Sequence, residues 1–81
     1  MRRDFSNGAG VVAVITMVYN EYVFDAQDEE AIADFLCKKI GSREDEVSGA
    51  PVYIEAASWC SLAGIGEAYE DEEFDIYIDE I

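Results

Sequence analysis

Nine consecutive uncharged residues, Val11-Val12-Ala13-Val14-Ile15-Thr16-Met17-Val18-Tyr19, set the strongest constraint on how this chain folds. The run is rich in β-branched side chains, which suit a pleated strand better than a helix. Its apolar positions are continuous and do not alternate, so the strand should be central or covered on both faces. Thr16 interrupts it and no small-residue cleavage site follows. It therefore reads as a strand, and not as a signal peptide or membrane span.

The neighbouring elements follow from local signals. Asn20-Glu21 is expected to form a two-residue hairpin turn, since Asn tolerates positive φ, with Tyr22-Val23-Phe24 as the returning strand. Asp25 is placed to cap a helix over about residues 26–40. Asp28, Glu29 and Glu30 then sit where the helix dipole favours anions. Ile32, Phe35, Leu36 and Ile40 make one apolar stripe. Lys38 and Lys39 fall in the last turn, and Gly41 is the stop. Residues 42–50 read as a polar loop. Pro51 is expected to open a strand, Val52-Tyr53-Ile54-Glu55-Ala56. Residues 57–69 mix helix formers with Gly64 and Gly66 and should be a short helix or turn. Phe74, Ile76 and Ile78 alternate with Asp75, Tyr77 and Asp79, the pattern of a strand with one buried and one wet face. Residues 1–10, with Ser6-Asn7-Gly8-Ala9-Gly10, read as a flexible lead-in. The sum is one α+β domain over residues 1–81: a mostly antiparallel sheet of about four strands with one main helix.

Charge narrows the function. The 81 residues hold 19 acids, 5 basic residues and no His, a net charge of −14. The basic residues are Arg2, Arg3, Lys38, Lys39 and Arg43, and every charged residue from Glu44 to Glu80 is an acid. Such a chain repels phosphate, so direct binding to nucleic acid is excluded. It is drawn instead to basic surfaces.

Catalysis fits poorly. The absence of His removes the commonest general base, and so short a chain has little volume for a substrate cleft. The expectation is that it is not an enzyme. Cys37 and Cys60 form no CxxC pair, which argues against structural zinc, and both are expected to be core filler in a reduced, cytoplasmic protein. A calcium loop counted from Asp71 has Ile76 where the motif requires Gly. No cofactor or metal is expected.

What remains is spaced acid on an ordered scaffold. On the last strand Glu73, Asp75 and Asp79 are expected to share a face with Tyr77. Alternate residues of a strand lie about 6.6 Å apart, of the order of the spacing of phosphates along one nucleic-acid strand. Glu70, Asp71 and Glu72 extend the row and Glu80 closes it. The loop acids Glu44, Asp45 and Glu46 and the helix-start acids Asp28, Glu29 and Glu30 are further candidates. Arrays of this kind meet Arg and Lys side chains as phosphates do. Trp59, Tyr69 and Tyr77 are candidate aromatic contacts.

Two stretches, Asn20-Glu21-Tyr22-Val23 leading into the acid-rich helix start and Tyr69-Glu70-Asp71-Glu72-Glu73-Phe74, resemble phrases in acidic type II-A anti-CRISPR proteins. Residues 22–32 are similar to a stretch of an acidic type I-F inhibitor. In size and charge the chain also resembles anti-restriction proteins and the uracil-DNA glycosylase inhibitor. The spacing between the two stretches departs from the type II-A pattern, so the likeness is to a class. It implies a phage-encoded inhibitor that mimics nucleic acid. The partner would be a basic nucleic-acid-binding protein, a CRISPR-Cas effector subunit, blocked where it grips DNA or reads the PAM. Two other classes fit the same residues: an immunity-type or anti-restriction protein masking a basic toxin or DNA-processing enzyme, and an assembly protein pairing through a sheet edge.

Overall fold

The uncharged run lies at the centre of the sheet. In the computed structural model, which describes residues 2–5 and 10–80, strand β2 is Val11–Met17. It pairs antiparallel with β3, Asn20–Asp25, on one side and with β5, Asp75–Glu80, on the other. Strand β4, Gly66–Glu70, pairs antiparallel with β5, and β1, Arg2–Asp4, adds a parallel edge beside β3. The order β1-β3-β2-β5-β4 is thus four antiparallel strands with one parallel addition, and the architecture is α+β. Part of the expected lead-in is therefore a strand. Ser6 to Ala9, on which the rest of that reading falls, lie outside the described residues.

Two helices, not one, cover the sheet. Helix α1 is Glu29–Ile40, capped by Asp28, whose carboxylate accepts from the Ala31 N–H at 3.3 Å. It begins later than expected because Asp25 and Ala26 still belong to the sheet: Asp25 pairs with Val12, and the Ala26 N–H donates to the Val11 carbonyl. The C-terminal stop is as expected. Gly41 has φ 74°, and its N–H closes on the Cys37 carbonyl at 2.8 Å.

Helix α2, Val52–Leu62, replaces the strand expected over residues 52–56. Val52-Tyr53-Ile54 carries strand propensity, but Val52, Ala56, Ala57 and Cys60 are the buried positions. Their spacing of four, five and eight is helical. Tertiary burial overrides the local preference of three residues. Pro51 precedes the first turn, where its missing N–H costs nothing.

The core lies between the helices and one sheet face. Ala13, Ile15, Phe24, Ile76 and Ile78 from the strands meet Ile32 and Leu36 of α1 and Val52, Ala56, Ala57 and Cys60 of α2. Full burial of each large aliphatic side chain contributes roughly 1.5–3 kcal/mol. The other sheet face carries Val14, Thr16, Asp75, Tyr77 and Asp79. No helix among the described residues is long and apolar enough to cross a membrane.

Candidate functional site: an acidic sheet face and groove

Strand β5 builds the first part of the site. Its period of two sends Ile76 and Ile78 into the core and leaves Asp75, Tyr77 and Asp79 on the opposite face. Tyr77 stays 45% exposed, as the alternation predicts. Glu73 does not join the row. It precedes the strand and lies 3.8 Å from the Arg43 guanidinium.

Strand β4 adds what the sequence reading missed. A bulge between Glu67 and Tyr69 shifts the register, so that Tyr69 pairs with Ile76 and Glu70 with Asp75. Glu67 and Glu70, three apart, would face opposite ways on a regular strand; the extra residue puts both on the outer face. Carboxylate oxygens of Glu67, Glu70 and Asp75 then fall within 4.8 Å of one another. The side-chain contact with Asp75, some burial, and the charges of Asp75 and Glu70 push the Glu67 carboxyl up to about 7. Asp75 Oδ1 is buried and accepts no hydrogen bond from the described residues. Three oxygens so arranged suit a hard cation, or the ammonium or guanidinium of a partner. The only sequence signal was Glu67-Ala68-Tyr69-Glu70, which has no clean period because the bulge breaks it.

Next to this trio, the loop acids and the β4–β5 turn face each other across an open groove of about 750 Å³. Arg43, Glu44, Asp45, Glu46, Val47, Val52, Glu70, Asp71 and Glu72 line it. Their roles differ. Arg43 donates to Asp71 Oδ2 at 2.6 Å and ties the loop to the turn. Burial pushes the Asp71 carboxyl up, but the Arg43 hydrogen bond, the Glu73 N–H and the guanidinium charge outweigh it and hold it low. Asp45 is a turn-former: the Ser48 and Val47 N–H groups donate to Oδ1 at 3.0 and 2.8 Å and lower its pKa. Glu44, Glu46 and Glu72 are exposed, which leaves them available to a partner.

The remaining acids lie elsewhere. Asp79 and Glu80 close β5 at its far end, where Glu80 pairs with Val11 and Ala26 follows β3. Asp28, Glu29 and Glu30 start α1 near that same end. A six-residue strand is about 20 Å long, so the expected acids fall into two groups and not one continuous surface. The aromatic candidates also separate. Tyr69 stacks on Phe74 at 5.8 Å, and burial with the charges of Glu55, Asp45 and Asp71 pushes its phenol up; Trp59 is on the outer side of α2, and Tyr77 lies among the β5 acids.

The described basic side chains are engaged outside the trio. Lys38 pairs with Asp34 at 3.0 Å, Lys39 lies 5.5 Å over the Tyr22 ring, and Arg43 holds Asp71. Cys37 and Cys60 are free, and burial pushes the Cys60 thiol up to about 12. Comparison with protein-family models, curated proteins and solved structures finds no match. The site is therefore interpreted from its own chemistry.

Proposed function

We propose that this protein is a non-enzymatic inhibitor that mimics nucleic acid. Its acidic surface would occupy the DNA-binding or PAM-reading basic site of a CRISPR-Cas effector in the cytoplasm. The observation that carries this reading is the Glu67, Glu70 and Asp75 trio, held within 4.8 Å with the described basic side chains engaged elsewhere. Crowding like charges in this way costs stability. An Arg or Lys from a partner relieves that cost, so part of the binding energy is already stored in the free fold. The exposed acids Glu44, Glu46 and Glu72 across the groove extend the anionic surface beyond one contact.

Competition with DNA tests the proposal. Purified effector–guide complexes of several types, a restriction enzyme and a basic nuclease toxin are each incubated with the protein before labelled DNA is added. Loss of DNA binding by an effector, reversed by high salt, is the expected result. An effector that binds the protein and DNA together at full affinity overturns occlusion. Binding to the toxin or restriction enzyme alone transfers the same surface to the masking of that enzyme.

A further inference from the structure

Helix α2 has a charge-poor outer side on a chain of net charge −14. From Ala56 to Gly66 there is no charged residue. Ile54 is 48%, Trp59 47%, Leu62 74% and Ile65 55% exposed. The single acid of the helix, Glu55, is engaged by the Ser48 hydroxyl, which donates to Oε2 at 2.6 Å. By contrast, the outer side of α1 is charged, with Glu29, Glu30, Asp34 and Lys38 exposed, and the open sheet face presents the acids described above. A cluster of exposed large apolar side chains marks an interaction surface.

The pattern along α2 fits a second copy of itself. Ile54, Ser58 and Leu62 form one ridge at i, i+4 and i+8. Ser58 lies midway, is small, and satisfies its hydroxyl on the Glu55 carbonyl at 2.9 Å. Two copies packed antiparallel about a two-fold axis at Ser58 place Ile54 against Leu62 of the second copy, and the reverse. Glu55 then opposes Ser61 of the second copy, so no like charges meet. A self-complementary patch is what a two-fold contact requires. A two-fold contact through the open sheet face would instead set acid against acid.

We propose that the outer side of α2 is an isologous contact through which two copies of this chain associate. The helix is only about 16 Å long, and one such face falls short of the roughly 1,200–2,000 Å² buried by stable interfaces. The dimer is therefore weak and reversible. Repulsion between the two acidic bodies opposes it, and salt screens that repulsion as the Debye length shrinks from about 30 Å at 0.01 M to about 8 Å at 0.15 M. Association of copies strengthens with salt, whereas binding to a basic partner weakens. The two properties are separable, and this inference does not rest on the inhibitor reading.

Sedimentation equilibrium of the full chain, over a concentration series at low and moderate salt, tests it. The expected result is a monomer–dimer equilibrium tightened about tenfold by salt screening and lost in Leu62→Glu and Ile54→Glu. Both positions are exposed, so the variants keep their circular dichroism and melting transition. Ser58→Cys in a Cys37→Ala background should oxidise to a linked dimer faster than Val47→Cys in that background, since Val47 is 97% exposed but lies off the helix. A monomer at every concentration and salt overturns the proposal. So does a dimer that Leu62→Glu leaves intact, or one in which the Ser58→Cys variant cross-links no faster than the Val47→Cys control.

Discussion

Glu67 and Asp75 stand together on neighbouring strands, with Glu70 completing a set of carboxylates whose oxygens lie within 4.8 Å. The consequence is a stability that depends on pH in a defined direction. The Glu67 carboxyl is raised to about 7 from an ordinary 4.5, so the native state holds its proton more tightly than the unfolded chain. The stabilisation is fully present below about 4.5 and is lost as pH rises through about 7. Asp45 and Asp71 act oppositely: their lowered values favour the fold at higher pH, and that contribution fades only as pH falls through their depressed native values. Melting temperature should therefore rise from pH 8 to pH 5 and fall in stronger acid. Glu67→Gln should melt higher than the parent at pH 8 and flatten the slope between 8 and 5. A parent profile already flat in that range would mean the trio carries no shared proton.

The same trio should dominate binding. A Glu67→Gln, Glu70→Gln, Asp75→Asn variant is expected to lose roughly threefold to a hundredfold in affinity for the inhibited target, since each of three exposed pairs contributes about 0.2–1 kcal/mol. Neutralising Asp79, Glu80, Glu29 and Glu30 together, at the opposite end, should cost far less. Calorimetric titration of both variants decides it. Equal losses would indicate binding by net charge alone.

Arg43 should be the basic residue on which the groove depends. Its guanidinium meets Asp71 at 2.6 Å and Glu73 at 3.8 Å. Arg43→Met leaves Asp71, whose side chain is 11% exposed, beside other acids without a cation. The Arg43 side chain is 39% exposed, so the loss should stay near 1 kcal/mol in urea unfolding. Arg43→Lys should restore only part of it, because an ammonium cannot reproduce the guanidinium fork. Full recovery by Lys would show that net charge and not geometry holds the loop.

How much was legible follows from how local each signal is. The β2 run, the alternation of β5 and the end of α1 at Gly41 each rest on side chains whose environment is set by their own period or cap. The sequence reading placed them well. Helix α2 was misread because its burial code, Val52, Ala56, Ala57 and Cys60, depends on where the sheet lies. The pair Glu67 and Asp75 was invisible because a bulge, which has no composition of its own here, sets which side of the strand Glu67 faces. The acids of residues 70–75 were legible as a group, but Arg43's claim on Asp71 joins residues 28 apart and has no local trace.

The turn between β2 and β3 yields the last prediction. Met17 pairs with Asn20, so the two-residue loop is Val18-Tyr19 and not the expected Asn20-Glu21. Val18 has φ 57° and is the only described non-glycine residue with positive φ. Left-handed backbone is unfavourable for a β-branched side chain and costs on the order of 1–3 kcal/mol. Val18 is 79% exposed, so little apolar burial offsets that cost. Val18→Gly should therefore stabilise the protein, with the relieved strain exceeding the roughly 0.5–1 kcal/mol of extra unfolded-chain entropy. A net gain of up to about 2.5 kcal/mol follows from those two ranges. Val18→Asn should gain less, since Asn tolerates this region without the full freedom of Gly. Val18→Pro should destabilise strongly, because its ring fixes φ near −65°. Urea unfolding with an unchanged slope reads the order Gly, Asn, Val, Pro from most to least stable. A Val18→Gly protein no more stable than the parent would show that the side chain contributes enough to outweigh its strain.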